Sequence, residues 1–281
     1  MGTWTRCALA ALVGLIAAPA TALELNGEPR QGALLTGRAE PGSRVVFAGR
    51  PVRLGPRGHF VVGLGREAPP TVELTWRPPD GPRHRRTVAV GQRSFGVQRI
   101  DGLPSHLVHP GQAALDRIRR EQARVRQARQ GFTPQLAGYR QGFAWPLEGP
   151  VTGVYGTRRV LNGEPRQPHF GIDIAAAAGT PVRAPAAGIV RLAAPDLYFS
   201  GGTLILDHGH GVTSSFLHLS GFRVRAGERV RKGEIIAEVG ASGRVTGPHL
   251  DWRVNWFDRR LDPALLAGPM PQAGGGTGRG G

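Results

Sequence analysis

Residues 247–256 read GPHLDWRVNW. Leu250, Trp252, Val254 and Trp256 fall on one side of this run, and His249, Asp251, Arg253 and Asn255 on the other. A period of two is the signature of a β-strand, whose successive side chains point to opposite faces. Four large apolar side chains on one face have to be buried. The opposite face is polar and suits the wall of a site, although an exposed sheet face would carry the same pattern. The run therefore fixes a half-buried strand and leaves its chemistry open.

Outward from this strand the chain is turn-rich. Its 281 residues include 43 Gly and 24 Pro, which favours β structure over long helices. Residues 43–47 (SRVVF), 59–62 (HFVV), 71–76 (TVELTW) and 87–90 (TVAV) are short β-like runs separated by Gly/Pro turns. That spacing predicts a small β-sandwich over residues 23–103. Residues 110–129 (PGQAALDRIRREQARVRQAR) are the one good helix. Pro110 suits the first turn, Gly131 the stop, and Leu115, Ile118 and Val125 form a narrow apolar stripe. The helix lies in a linker over residues 104–142. It is read as a solvated helix packed by one edge, with contact to an anionic polymer or gating of a site as the alternative. Residues 143–267 form a second β-rich domain, and the glycine-rich residues 268–281 a low-complexity tail. The predicted fold class is thus mainly β: a small N-terminal sandwich, a linker helix and a C-terminal antiparallel sheet.

Residues 1–22 read as a secretory signal. Arg6 precedes a short apolar run, and Ala20-Thr21-Ala22 fits a small-x-small cleavage site. The run is shorter than the roughly 20 residues of a membrane span, and no later segment is apolar enough to be one. Cys7 is the only cysteine and would leave with the signal. Disulfides, thiol nucleophiles and thiolate metal sites are then excluded, so any metal falls to His and carboxylates. The net charge of +16 is almost all arginine, since Lys232 is the only lysine. Such a charge suits an anionic polymer or membrane surface. Nucleic acid is not expected, because no nucleic-acid motif is present and export argues against it.

Five of the nine histidines lie between residues 169 and 249. His169 and Asp173 are four apart, so a strand would point both to one face, and both are ordinary zinc ligands. His218 lies near the end of the β-like run 212–219 (VTSSFLHL). None of these is specific alone. His208 and His210 lie in a Gly-bounded turn and are at most spare ligands. His59 and His84 are isolated and read as structural. Arg158 and Asn162, in the loop before His169, are candidates for lining a cleft. Lys232 lacks the acidic flank that a lipoyl or biotinyl carrier lysine requires.

In order, H-x-x-x-D at His169–Asp173, F-L-H-L ending at Leu219, and G-P-H-L-x-W at residues 247–252 resemble the lysostaphin-type zinc peptidases. Residues 179–190, 207–211 (DHGHG) and 224–243 resemble the same family, so the likeness covers residues 146–263. It implies one zinc ion held by His169, Asp173 and the residue at position 251. It implies catalytic roles for His218 and His249 around the attacking water. It also implies a metalloendopeptidase that acts on peptide cross-links of peptidoglycan, in the periplasm if the source is Gram-negative. One departure matters. The family has H-x-H where this chain has His249-Leu250-Asp251. Either Asp251 ligates, giving a His/Asp/Asp set that weakens the metal as a Lewis acid or favours another divalent ion, or Asp251 pairs with Arg253. The second option implies a non-catalytic wall-binding protein, or an activator of other wall hydrolases such as an amidase partner.

Overall fold

The computed structural model describes residues 23–103 and 105–271, so the expected signal peptide and most of the glycine-rich tail lie outside the described residues. The described chain is mainly β, as the turn-rich sequence predicts. Its largest sheet has ten strands. From one edge it runs Arg229–Val230, Gly188–Leu197, Gly201–Gly209, Val212–Phe222, His249–Trp256, Ile172–Ala175 and Val151–Gly153. Pro181–Arg183 and Ile235–Val239 pair with each other and continue from the end of Val212–Phe222, and Arg259–Leu261 pairs with His249–Trp256.

The alternation in residues 249–256 is realised as expected. Leu250, Trp252, Val254 and Trp256 are at most 1% exposed and sit in the main core. Upstream, two small antiparallel sheets share that core. One is Glu24–Asn26, Leu34–Arg38 and His59–Gly63; the other is Arg50–Val52, Arg44–Phe47, Thr71–Arg77 and His84–Ala89. This front part docks on the back of the large sheet. Arg259 donates to the Gly63 carbonyl at 3.2 Å, and Arg93 pairs with Asp262 at 2.8 Å.

The helix runs Gln112–Arg129 with Gly111 at its N-cap, starting two residues after Pro110. Its apolar edge is used. Val125 and Ala128 cover Leu192, Ala194, Leu197 and Ile205, a second small cluster on the large sheet. All nine residues of Gly201–Gly209 are consequently buried, with helix on one face and core on the other. At the end of the helix Arg129 reaches the polar face of the large sheet, where Nη2 donates to Ser215 Oγ at 3.0 Å, opposite Arg253.

Val97–Ile100 leaves the front part and pairs in parallel with Arg158–Leu161, which in turn pairs with Glu164–Arg166. Asn162 fastens this small sheet. Its side chain accepts from the Leu103 amide at 3.1 Å and donates to the Leu103 carbonyl at 2.8 Å.

Candidate metal centre and catalytic pair

Strand register brings the expected ligands together. Asp173 lies directly opposite Asp251 on adjacent antiparallel strands, and Ala175 opposite His249. Cross-strand neighbours on one face stand about 4.5–5.5 Å apart at Cβ, and like charges so placed repel. Two buried carboxylates in this position need positive charge beside them, and Arg159 and Arg253 supply part of it. His169 completes the group: one ligand atom from each of His169, Asp173 and Asp251 lies within 4.8 Å of the others. Two glycines make room for the carboxylates. A Cβ on Gly153 would run into the Asp173 carboxylate, and one on Gly171 into Asp251 Oδ1 and the Arg253 side chain.

The donor set passes a test of fit for a metal. The His169 side chain is fully buried, and both ring nitrogens lack a hydrogen-bond partner, as does Asp173 Oδ1. His169 Nε2 and Asp173 Oδ1 are 3.1 Å apart but not aligned as donor and acceptor. Two ligands on a tetrahedral zinc at 2.0–2.1 Å would stand about 3.4 Å apart. Orphaned buried polar atoms are costly, and convergence on one point is what a metal would repair.

Asp251 is more complicated. Arg253 Nε donates to Oδ1 at 2.9 Å and to Oδ2 at 3.1 Å, and Arg253 Nη2 donates to Oδ2 at 2.5 Å. Burial pushes the Asp251 carboxyl up. The positive charges of Arg253, then His169, and the Arg253 hydrogen bonds outweigh it and hold the group well below the carboxylate range. Asp251 therefore pairs with Arg253, one of the two options read from the sequence, while it stands within the His169, Asp173 and Asp251 cluster. Asp173 has a similar partner, since Arg159 Nη2 lies 2.6 Å from Oδ2 and leaves Oδ1 facing His169.

His218 and His249 meet beside this group, with ring centroids 4.9 Å apart. His218 Nδ1 donates to the Ser242 carbonyl at 2.8 Å, and His249 Nδ1 to the Gly247 carbonyl at 2.9 Å. A carbonyl only accepts, so Nδ1 carries a proton in both rings and Nε2 is the ring nitrogen left for the site. His249 Nε2 lies 3.9 Å from Asp173 Oδ1. Burial lowers the pKa of His218 to about 4, against opposing contributions from Asp251 and the Ser242 hydrogen bond.

Three further histidines are held by their surroundings. His208 is fully buried between the Ala187 carbonyl and Ser214 Oγ, His210 bonds the Pro134 carbonyl, and His84 stacks on Trp76. Lys232 ties the Gln141 and Gly142 carbonyls. Of the arginines before His169, the structure puts Arg159, not Arg158, in the cleft, while Asn162 fastens Leu103 instead. The sequence reading missed Arg159 because nothing local distinguishes it from its neighbour.

The model of Peptidase family M23 matches residues 167–263. A crystal structure from Pseudomonas aeruginosa assigned to peptidase M23 is 33% identical, with a TM-score of 0.67, over 86% of this chain and 96% of that one. DD-carboxypeptidase/endopeptidase Mpg of Neisseria meningitidis is 39% identical over 104 residues, 37% of this chain and 24% of that protein. Peptidoglycan DD-endopeptidase ShyB of Vibrio cholerae is 36% identical over 132 residues, 46% and 28% of the two chains. The chain belongs to peptidase family M23. It spans about a quarter of the length of these curated relatives.

Proposed function

We propose that this protein is a metal-dependent endopeptidase that hydrolyses peptide cross-links of bacterial peptidoglycan. The observation that carries the reading is the convergence of His169, Asp173 and Asp251 on one point beside the His218–His249 pair. His169, Asp173 and Asp251 hold the ion, which we take to be zinc, other divalent ions also suiting a His/Asp/Asp set. A zinc ion there would polarise the scissile carbonyl and bring the pKa of water towards about 7. His218 and His249 do the proton work. Each is oriented by a backbone carbonyl behind its Nδ1, and one accepts the proton of the attacking water and hands it to the leaving amine, while the other accepts a hydrogen bond from that water and orients it. The expected signal peptide puts the protein outside the cytoplasm, in the periplasm of a Gram-negative source.

The Arg253 fork favours a second reading, in which Asp251 is withheld from the metal and the domain binds the wall or activates an amidase partner. Digestion of purified peptidoglycan with and without a chelator, followed by product analysis, separates the two. The endopeptidase reading expects cross-linked products to disappear only in the metal-replete reaction. Intact cross-links under both conditions would leave the second reading.

A further inference from the structure

In front of Asp173, His218 and His249 lies a cleft of about 340 Å³. Part of its wall comes from outside the family-matched stretch. Gln98, Ile100 and Leu103 line it, held there by the parallel pairing with Arg158–Leu161 and by the Asn162 clasp. Apart from the histidines, its charged lining is Arg159, Arg244 and Asp173. Asp173 already gives one oxygen to Arg159 and turns the other to His169. The cleft therefore has an excess of positive charge before any dication is counted.

Two polar atoms of the lining are buried with no hydrogen-bond partner: the Gln98 side-chain oxygen and Arg159 Nε. Buried groups of this kind weaken a fold unless a ligand completes them. Arg244 is held in place by Phe199, with its guanidinium carbon 4.4 Å from the ring centroid and its amide bonded to the Phe199 carbonyl at 2.9 Å. Burial lowers its pKa first, and then the charges of Arg159, Arg166 and Arg253. An anionic ligand would relieve that repulsion.

Resting on the peptidase reading, we propose that Arg159 and Arg244 form a carboxylate subsite, with Gln98 taking an amide N–H of the same peptide. The substrate class is then a cross-link in which the residue that gives up the leaving amine also bears a free carboxylate. Arg159 touches the carboxylate that faces the metal centre. A ligand on its other edge lies about one residue from the reacting carbonyl, since consecutive Cα atoms are about 3.8 Å apart. Guanidinium groups match carboxylates through paired N–H donors. A bond inside a continuing chain has an amide at that place and offers the subsite nothing.

The test compares two probes: a peptidoglycan-derived stem-peptide dimer with the free carboxylate beside its scissile amide, and the same dimer as the carboxamide. Binding to the full chain is measured by calorimetry with and without zinc, and cleavage by chromatography. The wild type should bind the acid about tenfold more tightly than the amide. Arg244→Gln should bring that ratio close to one, and Arg244→Lys should keep part of it. Thermal unfolding of both variants checks the fold, and the wild-type ratio decides the matter if Arg244→Gln misfolds. Equal wild-type affinities, or an unchanged ratio in a folded Arg244→Gln, overturn the subsite. Acid-selective binding without cleavage of either probe would remove the peptidase reading and leave the subsite standing. Cleavage of both probes at equal rates would do the reverse.

Discussion

His218 shows how a single backbone angle places a functional group. Strict alternation along Val212–Phe222 puts Thr213, Ser215 and Leu217 on the face of Asp251 and Arg253, so the next residue should point backwards. His218 instead has φ of 66°, and beyond it the strand stops pairing with His249–Trp256 and takes up Ile235–Val239. A left-handed residue at such an irregularity re-aims a side chain and stores strain, which persists where the surroundings enforce it. Here the enforcing groups are the Ser200 and Ser242 carbonyls, bonded to its amide and Nδ1. If this ring is a base, His218→Ala should lower kcat by roughly 10²–10⁴-fold, and His249→Ala likewise, with far-ultraviolet circular dichroism unchanged. Wild-type turnover in either folded variant would contradict the assigned roles. At position 251 the expected imidazole has become a carboxylate joined to a guanidinium. Taken as a unit, Asp251 and Arg253 are electrically neutral, as the replaced imidazole would be, which tempers the loss of Lewis acidity expected for two carboxylates.

The His249–Trp256 strand carries the site on one face and the core on the other. Trp252 is fully buried directly behind that face, packed edge-on against Trp145 and bonded through Nε1 to Ser214 Oγ at 3.3 Å. Trp252→Ala should cost about 3–5 kcal/mol of unfolding free energy, read from urea denaturation. A loss under about 1 kcal/mol would mean that the strand is not anchored through its back face. This element was legible in the sequence because burial on one face imposes a period of two. The helix was also legible, although its start was not, since Gly111 and not a side-chain cap precedes it. Arg159, Gln98 and the Asn162 clasp were not legible. Each takes its meaning from the pairing of Val97–Ile100 with Arg158–Leu161, and segments some sixty residues apart leave no local pattern. The bulge at His218 was hidden for a related reason, because it depends on a change of partner strand.

Across the whole molecule, the front sheets and the peptidase sheet share one continuous core, so stability is a property of the described chain as a unit. His208 ties part of it to pH. Burial lowers its pKa to about 4 from 6.5, against the Ala187 hydrogen bond and Asp207. The unfolded chain therefore binds a proton below about pH 6.5 that the folded chain refuses until about pH 4, and stability falls as pH drops through that window. A shift of this size corresponds to about 3 kcal/mol. The stability advantage of wild type over His208→Gln should narrow by about that amount between pH 7 and pH 4, and a constant gap would argue against a buried neutral imidazole. The family relation reaches only part of the curated relatives, so the chemistry of this chain rests on its own centre. Zinc titration into metal-free protein, followed by calorimetry, addresses that centre most directly. The expected result is one ion per chain for wild type and at least about a hundredfold weaker binding for Asp251→Asn. Sub-stoichiometric binding by wild type, or an Asp251→Asn variant that binds as tightly, would contradict a metal held by His169, Asp173 and Asp251.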